Sequence, residues 1–334
     1  MTRYRMSVAT AAAGALFLAG CGGAGDSGSG SGSAGEAVDY PTRDISFIVP
    51  YGTGGSTDPI GRQYASQLQE VFDTTVVVEN REGGSATIGT SGVVTAQPDG
   101  HTLGLSSSSA LAFQPIVSPD LPYQSAEDYQ PIIKLTDLPT VLTVAADAPW
   151  QTIEEFMQHV EANPGAVRIS VSGARTSPDL VIQELNRVAD VQITTVPFTG
   201  GGGEALAALL GGQVEANAGY AASVAGQVEA GDLRVLGVFY EGSYDAFPEA
   251  ESFPDAGYDV TLPTAYYAIA PAGLPDDVLA KLVDASEEIL ASDDFAAFAD
   301  QNGYILDPIT ADEVAAELDD FRATYEELLE YLGD

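Results

Sequence analysis

Ten residues carry the densest chemistry in this chain: Pro50-Tyr51-Gly52-Thr53-Gly54-Gly55-Ser56-Thr57-Asp58-Pro59. The glycines let a backbone turn tightly and come close to a ligand. Tyr51, Thr53, Ser56 and Thr57 add neutral hydroxyl donors. A helix following this loop would present free N–H groups and the positive end of its dipole, which favour a carboxylate or phosphate. Asp58 before Pro59 fits an N-cap with proline at the first helical position. Its carboxylate therefore has a structural role open to it beside a direct ligand contact, and the N–H groups and hydroxyls at 53–57 are the stronger ligand candidates.

A second stretch repeats this logic. Val171-Ser172-Gly173-Ala174-Arg175-Thr176-Ser177-Pro178-Asp179 reads as strand, loop and helix start, with Ser177 as cap and Pro178 at N1. Arg175 is the cation placed in these loops and suits a bidentate pair with a carboxylate; pairing with a surface acid is the alternative. A third loop, Phe198-Thr199-Gly200-Gly201-Gly202-Gly203-Glu204, also leads into a helical pattern. The run Ser106, Ser107, Ser108, Ser109 sits where a strand ends, although such a run is ordinarily a solvated turn. Several loops of this kind meeting at one cleft are more informative than any one of them.

The elements that must position these loops alternate between strand-like and helical patterns, which favours an α/β fold with largely parallel sheets. Strands are expected at 45–50, 75–79, 101–106, 132–135 and 141–145, with helices near 59–71 and 87–96. A second series follows: helix 153–161, strand 167–171, helix 178–189, strand 193–197, helix 204–210, strand 214–218, helix 223–230 and strand 233–240. The stretch 243–263, containing Pro and Gly, breaks the rhythm before a strand at 265–270 and three helices, 276–291, 293–301 and 311–332. Two βα series, each opening on a Gly-rich loop, imply two α/β lobes facing a cleft. Ligands of open α/β sheets sit beyond the carboxyl ends of the strands.

The N-terminus reads as an export signal. Arg3 and Arg5 precede an uncharged apolar run of 13 residues, Val8 to Gly20, whereas a helical span needs about 20. Leu18-Ala19-Gly20-Cys21 resembles a bacterial lipobox, in which the peptide is cut before an acylated cysteine. Cys21 is the only cysteine of the chain, so no disulfide explains it. Residues 22–37 contain only Gly, Ser, Ala, Asp, Glu, a composition that reads as a flexible tether with a reach of about 20–25 Å. Thus 1–20 is expected to be signal peptide, 21–39 lipidated Cys and linker, and the folded body starts at Tyr40.

The formal net charge is −37, from 12 basic against 49 acidic residues. Without residues 1–20 the count is 10 basic against 49 acidic, a formal −39. Such a surface repels nucleic acid and anionic lipid, and suits a salty habitat where screening relieves self-repulsion. It also opposes capture of an anion, which a local ring of donors must overcome. Rival chemistries fail on inventory. The first loop mimics a dinucleotide fingerprint, but Thr57 replaces the third glycine and Glu79 lies too far along. The only histidines are His101 and His159. An exported serine hydrolase would need His101 beside Ser56 or the Ser106 run, and no Gly-x-Ser-x-Gly elbow is present. Neither a transition-metal cluster nor a cofactor site can be assembled. The reading is a non-enzyme.

Many short tags then fall in one family's order and spacing. Among them are Tyr40-Pro41-Thr42-Arg43-Asp44-Ile45, the loop 50–58, Val76-Val77-Val78-Glu79-Asn80-Arg81, Pro98-Asp99-Gly100-His101-Thr102-Leu103, Leu210-Gly211-Gly212-Gln213-Val214-Glu215 and Ala270-Pro271-Ala272-Gly273-Leu274-Pro275. Over residues 40–330 the chain resembles the substrate-binding receptors of tripartite tricarboxylate transporters, the Bug-type receptors. The resemblance implies a type II-like, two-lobed periplasmic-binding-protein fold with two crossover strands, lobe 1 at 40–143 plus 264–334 and lobe 2 at 144–263. It implies a monomer that closes on a small carboxylate, held by N–H groups and hydroxyls of the loops 51–57 and 172–178, and delivers it to a permease of one large and one small membrane subunit. Candidate ligand contacts are Tyr51, Thr53, Gly54, Gly55, Ser56, Thr57, Asp58, Ser106, Ser107, Arg175, Thr176, Ser177, Thr199, Gly200 and Tyr220. The chain departs from the family's pattern at Gly219 and Tyr220, where an acidic and a polar residue are usual, at Ala174-Arg175, where Asn-Gly is usual, and at Asp179, where His is usual. An added Arg with a lost acid points to a ligand with more negative charge or without an amine.

Overall fold

The computed structural model describes residues 39–53, 56–198 and 201–333. The signal segment, Cys21 and the linker, with Gly54, Gly55, Thr199 and Gly200, lie outside the described residues.

The first βα series builds a five-stranded sheet. β1 (Ile45–Val49) is apolar and buried along almost all its length, the pattern of a strand covered on both faces. It leads through the first Gly-rich loop into α1 (Thr57–Phe72), then β2 (Val76–Asn80), α2 (Thr87–Val94) and β3 (Thr102–Ser107). β1 pairs in parallel with β2 and β3, while β2 alternates between half-buried and exposed positions as an edge strand does. The serine run does not form a solvated turn: Ser106, Ser107, Ser108 and Ser109 are all buried, and the chain continues as a π-helical turn, Ser109–Phe113, then α3 (Gln114–Val117). The expected strand 132–135 is the middle of a longer one, β4 (Tyr129–Leu138).

After Pro139 the chain crosses to a second sheet with β5 (Thr140–Ala145), α4 (Ile153–Ala162), β6 (Arg168–Val171), α5 (Ser177–Ala189), β7 (Thr194–Pro197), α6 (Gly202–Leu210), β8 (Ala216–Tyr220), α7 (Ala221–Glu229), β9 (Leu233–Val238) and the two-residue β10 (Glu251–Ser252). The order is β10-β9-β5-β8-β6-β7, with β5 antiparallel to β8 and β9. The chain returns through Pro263 to β11 (Thr264–Pro271), every residue of which is buried between β3 and β4, antiparallel to both. The first sheet therefore draws its fourth strand from beyond the second. Both crossings use the same tripeptide, Leu138-Pro139-Thr140 and Leu262-Pro263-Thr264. Proline suits a crossing because it donates no ladder hydrogen bond and fixes its own φ.

Three helices close the chain: α8 (Asp276–Leu290), α9 (Asp293–Asn302) and α10 (Ala311–Leu332). α10 starts on a capping box between Thr310 and Glu313 and packs against β4, the π-helical turn and α5. Its Val314, Leu318, Tyr325, Leu328 and Leu329 join one apolar cluster with β5, β6 and α5 of the second sheet and β11 of the first. Spacings of three, four and seven residues place these five on one helical stripe, so the last helix covers both sheets. Among the described residues no helix is long and apolar enough to cross a membrane.

Candidate functional site

The first loop is held at both ends. Asn80, the last residue of β2, donates to the Tyr51 carbonyl at 2.8 Å and to Asp58 Oδ1 at 2.7 Å. Asp58 Oδ2 accepts from Arg62 Nε at 2.8 Å, one turn along α1. Burial would raise the Asp58 carboxyl, but the hydrogen bonds from Arg62 and Asn80 and the Arg62 charge hold it below the usual range. Asp58 is not the helix cap expected from sequence. Ser56 takes that place and Asp58 is the second helical residue, because α1 begins at Thr57. Both Asp58 oxygens are thus engaged in fastening the loop. Close packing on the other side comes from α2, where a Cβ on Gly89 would lie 2.6 Å from Pro50 Cα and 2.8 Å from the Arg81 carbonyl oxygen.

Behind the loop lies a set of paired hydroxyls. Tyr51 OH and Ser107 Oγ are 2.9 Å apart, with Ser109 Oγ 3.3 Å from Ser107 Oγ. Thr57 Oγ1 is 2.7 Å from the Tyr266 hydroxyl of β11, and the Tyr304 hydroxyl donates to the Ser56 carbonyl. Ser108 Oγ accepts from the Ala265 N–H at 3.2 Å. Ser106 faces away from this group, and its Oγ meets Thr90 Oγ1 at 2.9 Å. Thr53 is exposed. Burial pushes the Tyr51 phenol up against the pull of its serine partners, and burial raises Tyr123, Tyr220, Tyr266 and Tyr325 as well. Each of those four lies near enough to Tyr51 for ionisation of one to oppose ionisation of the other. All five phenols therefore stay protonated and act as neutral donors at ordinary pH.

The second sheet contributes the loop before α5 and the end of β8. The cap of α5 is Thr176 rather than Ser177, one residue earlier than expected, with Ser177 and Pro178 as the first two helical residues. Thr176 Oγ1 donates to the Gly173 carbonyl at 2.9 Å. Arg175 has φ 58, a left-handed conformation rare for a long side chain. Its N–H donates to Asp179 Oδ2 at 2.7 Å, closing the loop onto the helix, while the Arg175 side chain is exposed. Ser177 is buried. Tyr220, paired with Thr140 in the ladder, has its hydroxyl 2.7 Å from Thr264 Oγ1, so one residue touches both chain crossings.

The sequence did not single out Asn80, Tyr123, Thr264, Tyr266, Tyr304 or Tyr325 as candidate site residues. A signal was available for Thr264 and Tyr266. They share a face in a strand otherwise apolar throughout, and a tyrosine in such a strand needs a partner for its hydroxyl. His101, which the hydrolase reading required beside a serine, sits at the opposite end of β3 from Ser107. There its ring lies against Tyr40 (5.3 Å between centroids), with Nδ1 2.9 Å from the Asp99 carbonyl oxygen and Nε2 accepting from the Thr42 N–H at 3.2 Å. Among the described residues no group of His, Cys, Asp or Glu is placed to hold a metal ion.

Comparison with known proteins agrees with this architecture. Residues 60–319 match the model of the tripartite tricarboxylate transporter family receptor. Protein BugT of Bordetella pertussis is 31% identical over 259 residues, covering 77% of this chain and 79% of its own. A solved periplasmic transporter superposes with a TM-score of 0.79 at 31% identity, over 87% of this chain and 97% of the other. The periplasmic binding protein BugD superposes at 0.76 with 26% identity, over 88% and 99%. MatC of Rhodopseudomonas palustris, solved with bound malate, shares the fold at 0.76 and 24% identity, over 87% and 100%. Two helix-flanked sheets joined by paired crossings make the two-lobed architecture of these solute-binding proteins, and the chain belongs to the tripartite tricarboxylate transporter receptor family.

Proposed function

We propose that this receptor captures a small carboxylate between the lobe of the first sheet (40–139 and 264–334) and that of the second (140–263), with the division at Pro139 rather than after residue 143, through the loops at 51–57 and 172–178. The observation that carries this reading is the bank of neutral donors around Tyr51, built from Ser107, Thr57 and Tyr266 of the first sheet and faced by Ser177 and Tyr220 of the second. Such donors suit an anion in a protein whose charge is −37, because they offer hydrogen bonds without adding a charge that must be desolvated. The malate in MatC supports the same ligand class. Ligand contacts to both lobes favour the closed form, with the two Leu-Pro-Thr crossings as hinges. The closed monomer then meets a permease of one large and one small membrane subunit. Acylation of Cys21 and the linker after it keep the receptor near that permease at high effective concentration.

A thermal-shift screen of the chain without its first twenty residues tests the ligand class. An acid present at 100 times its dissociation constant stabilises the fold by about 2.7 kcal/mol. Malate, succinate, adipate and citrate are the first probes, and a chain stabilised by none of these or related acids would end the carboxylate reading. The Cys21→Ala chain is expected to keep its affinity and lose uptake in cells.

A further inference from the structure

Buried hydroxyls in folded proteins are almost always paired. Three beside the Tyr51 group are not, and two of them, Tyr325 and Ser177, stand near each other. Tyr325, in the middle of α10, is 0% exposed, and Ser177, the first residue of α5, is 2% exposed; neither the Tyr325 hydroxyl nor Ser177 Oγ has a hydrogen-bond partner. The Tyr325 ring is well accounted for, edge-on to Phe113 at 5.3 Å and stacked near Phe321 at 6.2 Å. A phenylalanine would make those contacts equally well, so the oxygen is what needs a reason. Ser108, just beyond β3, and Ser177 both stand close enough to act on the phenol, although neither closes a hydrogen bond to it. Ser108 Oγ already accepts from the Ala265 N–H at 3.2 Å and donates to the Pro263 carbonyl at 3.5 Å. The Tyr325 hydroxyl therefore projects to the place where a loop of the first sheet and a helix start of the second approach each other. A second phenol in reach of Tyr51, that of Tyr123, is likewise buried without a partner.

We infer that Tyr325 of the C-terminal helix is a ligand-contacting residue, donating its phenolic hydrogen to the same acid that Ser177 binds. This rests on the carboxylate reading above and adds to it a third element, remote in sequence from both Gly-rich loops. Leaving a hydroxyl unpaired in the interior destabilises the empty protein, and a carboxylate oxygen between Tyr325 and Ser177 would satisfy both groups at once. Because α10 packs on β4 and α5 together, the contact also reports closure.

The closing experiment compares wild type with Tyr325→Phe and Ser177→Ala, using calorimetry with malate and adipate and thermal unfolding without any acid. The phenylalanine variant is expected to unfold at the same temperature as wild type or higher, while binding the acid about tenfold more weakly. The double variant should lose less than the product of the two single losses, since both donors serve one carboxylate. An unchanged dissociation constant in Tyr325→Phe would assign the hydroxyl to a buried water and overturn the inference. A fall in the unfolding temperature of the acid-free variant would overturn it too, by making the hydroxyl structural. Wild type that responds to no acid would defeat the carboxylate reading itself and this contact with it, an outcome read separately from the variants.

Discussion

Lys134 is 1% exposed, and its Nζ stands 2.7 Å from Asp137 Oδ2, 2.6 Å from Glu317 Oε1 and 3.5 Å from Asp307 Oδ2. Tyr267 donates to the second oxygen of Glu317 at 2.6 Å. One cation thus faces three carboxylates. Burial pushes the Asp137 carboxyl up to about 6: it outweighs the attraction of Lys134, with Glu317 and Asp307 adding to the rise. The unfolded value is about 3.9. The folded state therefore holds more protons than the unfolded one between about pH 4 and 6, and stability falls as pH rises through that window. Asp137→Asn removes this titration. Urea unfolding should show wild type gaining about 1 kcal/mol relative to Asp137→Asn on going from pH 7.5 to pH 5. A difference constant with pH would mean Asp137 is ionised throughout. The ligand side behaves differently. Every phenol near Tyr51 is raised, so donation to an acid should be flat between pH 6 and 9, until the ligand itself titrates.

The elements show how loops are aimed by what packs behind them. The π-helical turn Ser109–Phe113 buries the serine run that the composition alone makes a surface turn. π-helical turns are often found at functional sites, and this one turns Ser107 toward Tyr51 and Ser108 toward β11. α2 acts in two ways: Thr90 pairs with Ser106 at 2.9 Å, and Gly89 lets the helix lie against Pro50. Gly89→Ala would drive a methyl group into backbone at both Pro50 and Arg81. It is expected to cost about 1–3 kcal/mol in urea unfolding and to weaken acid binding through displacement of Tyr51. A variant with wild-type stability and affinity would show that this contact does not hold the loop. At the crossings, Tyr220 ties Thr140 to Thr264.

At the scale of the whole molecule the dominant feature is charge. At −37 the protein repels an approaching dianion, and the repulsion reaches about a Debye length, ~10 Å at 0.1 M salt and ~3 Å at 1 M. If the ligand is held by neutral donors, screening relieves this repulsion and removes little attraction. Affinity for malate or adipate should therefore rise between 0.05 and 0.5 M NaCl when measured by calorimetry, the reverse of a site built on ion pairs. Affinity falling with salt would place an exposed cation such as Arg175 at the centre of recognition. The unfolding temperature should rise with salt over the same range, because the folded state concentrates the charge more than the unfolded one.

Local periodicity determined most of this protein's elements. The long helices Thr57–Phe72, Asp276–Leu290 and Ala311–Leu332 and the buried strands come from patterns of 3.6 and 2 residues within a few positions of one another. The two Gly-rich loops stood out in the sequence by composition, whereas the serine run, ordinarily a solvated turn, is buried by the π-helical turn that follows it. Cap positions shifted by one or two residues at Asp58 and Ser177, because which residue stops being helical depends on tertiary contacts. What only the tertiary structure decided was which distant residues meet. Tyr266 faces Thr57, 209 residues before it, because the chain leaves the second sheet and inserts β11 beside β3 of the first. Tyr325 reaches Ser108 and Ser177 because α10 lies across both sheets. In the sequence each is one tyrosine in an apolar stripe, and a stripe states that a side chain is buried without stating what its hydroxyl meets.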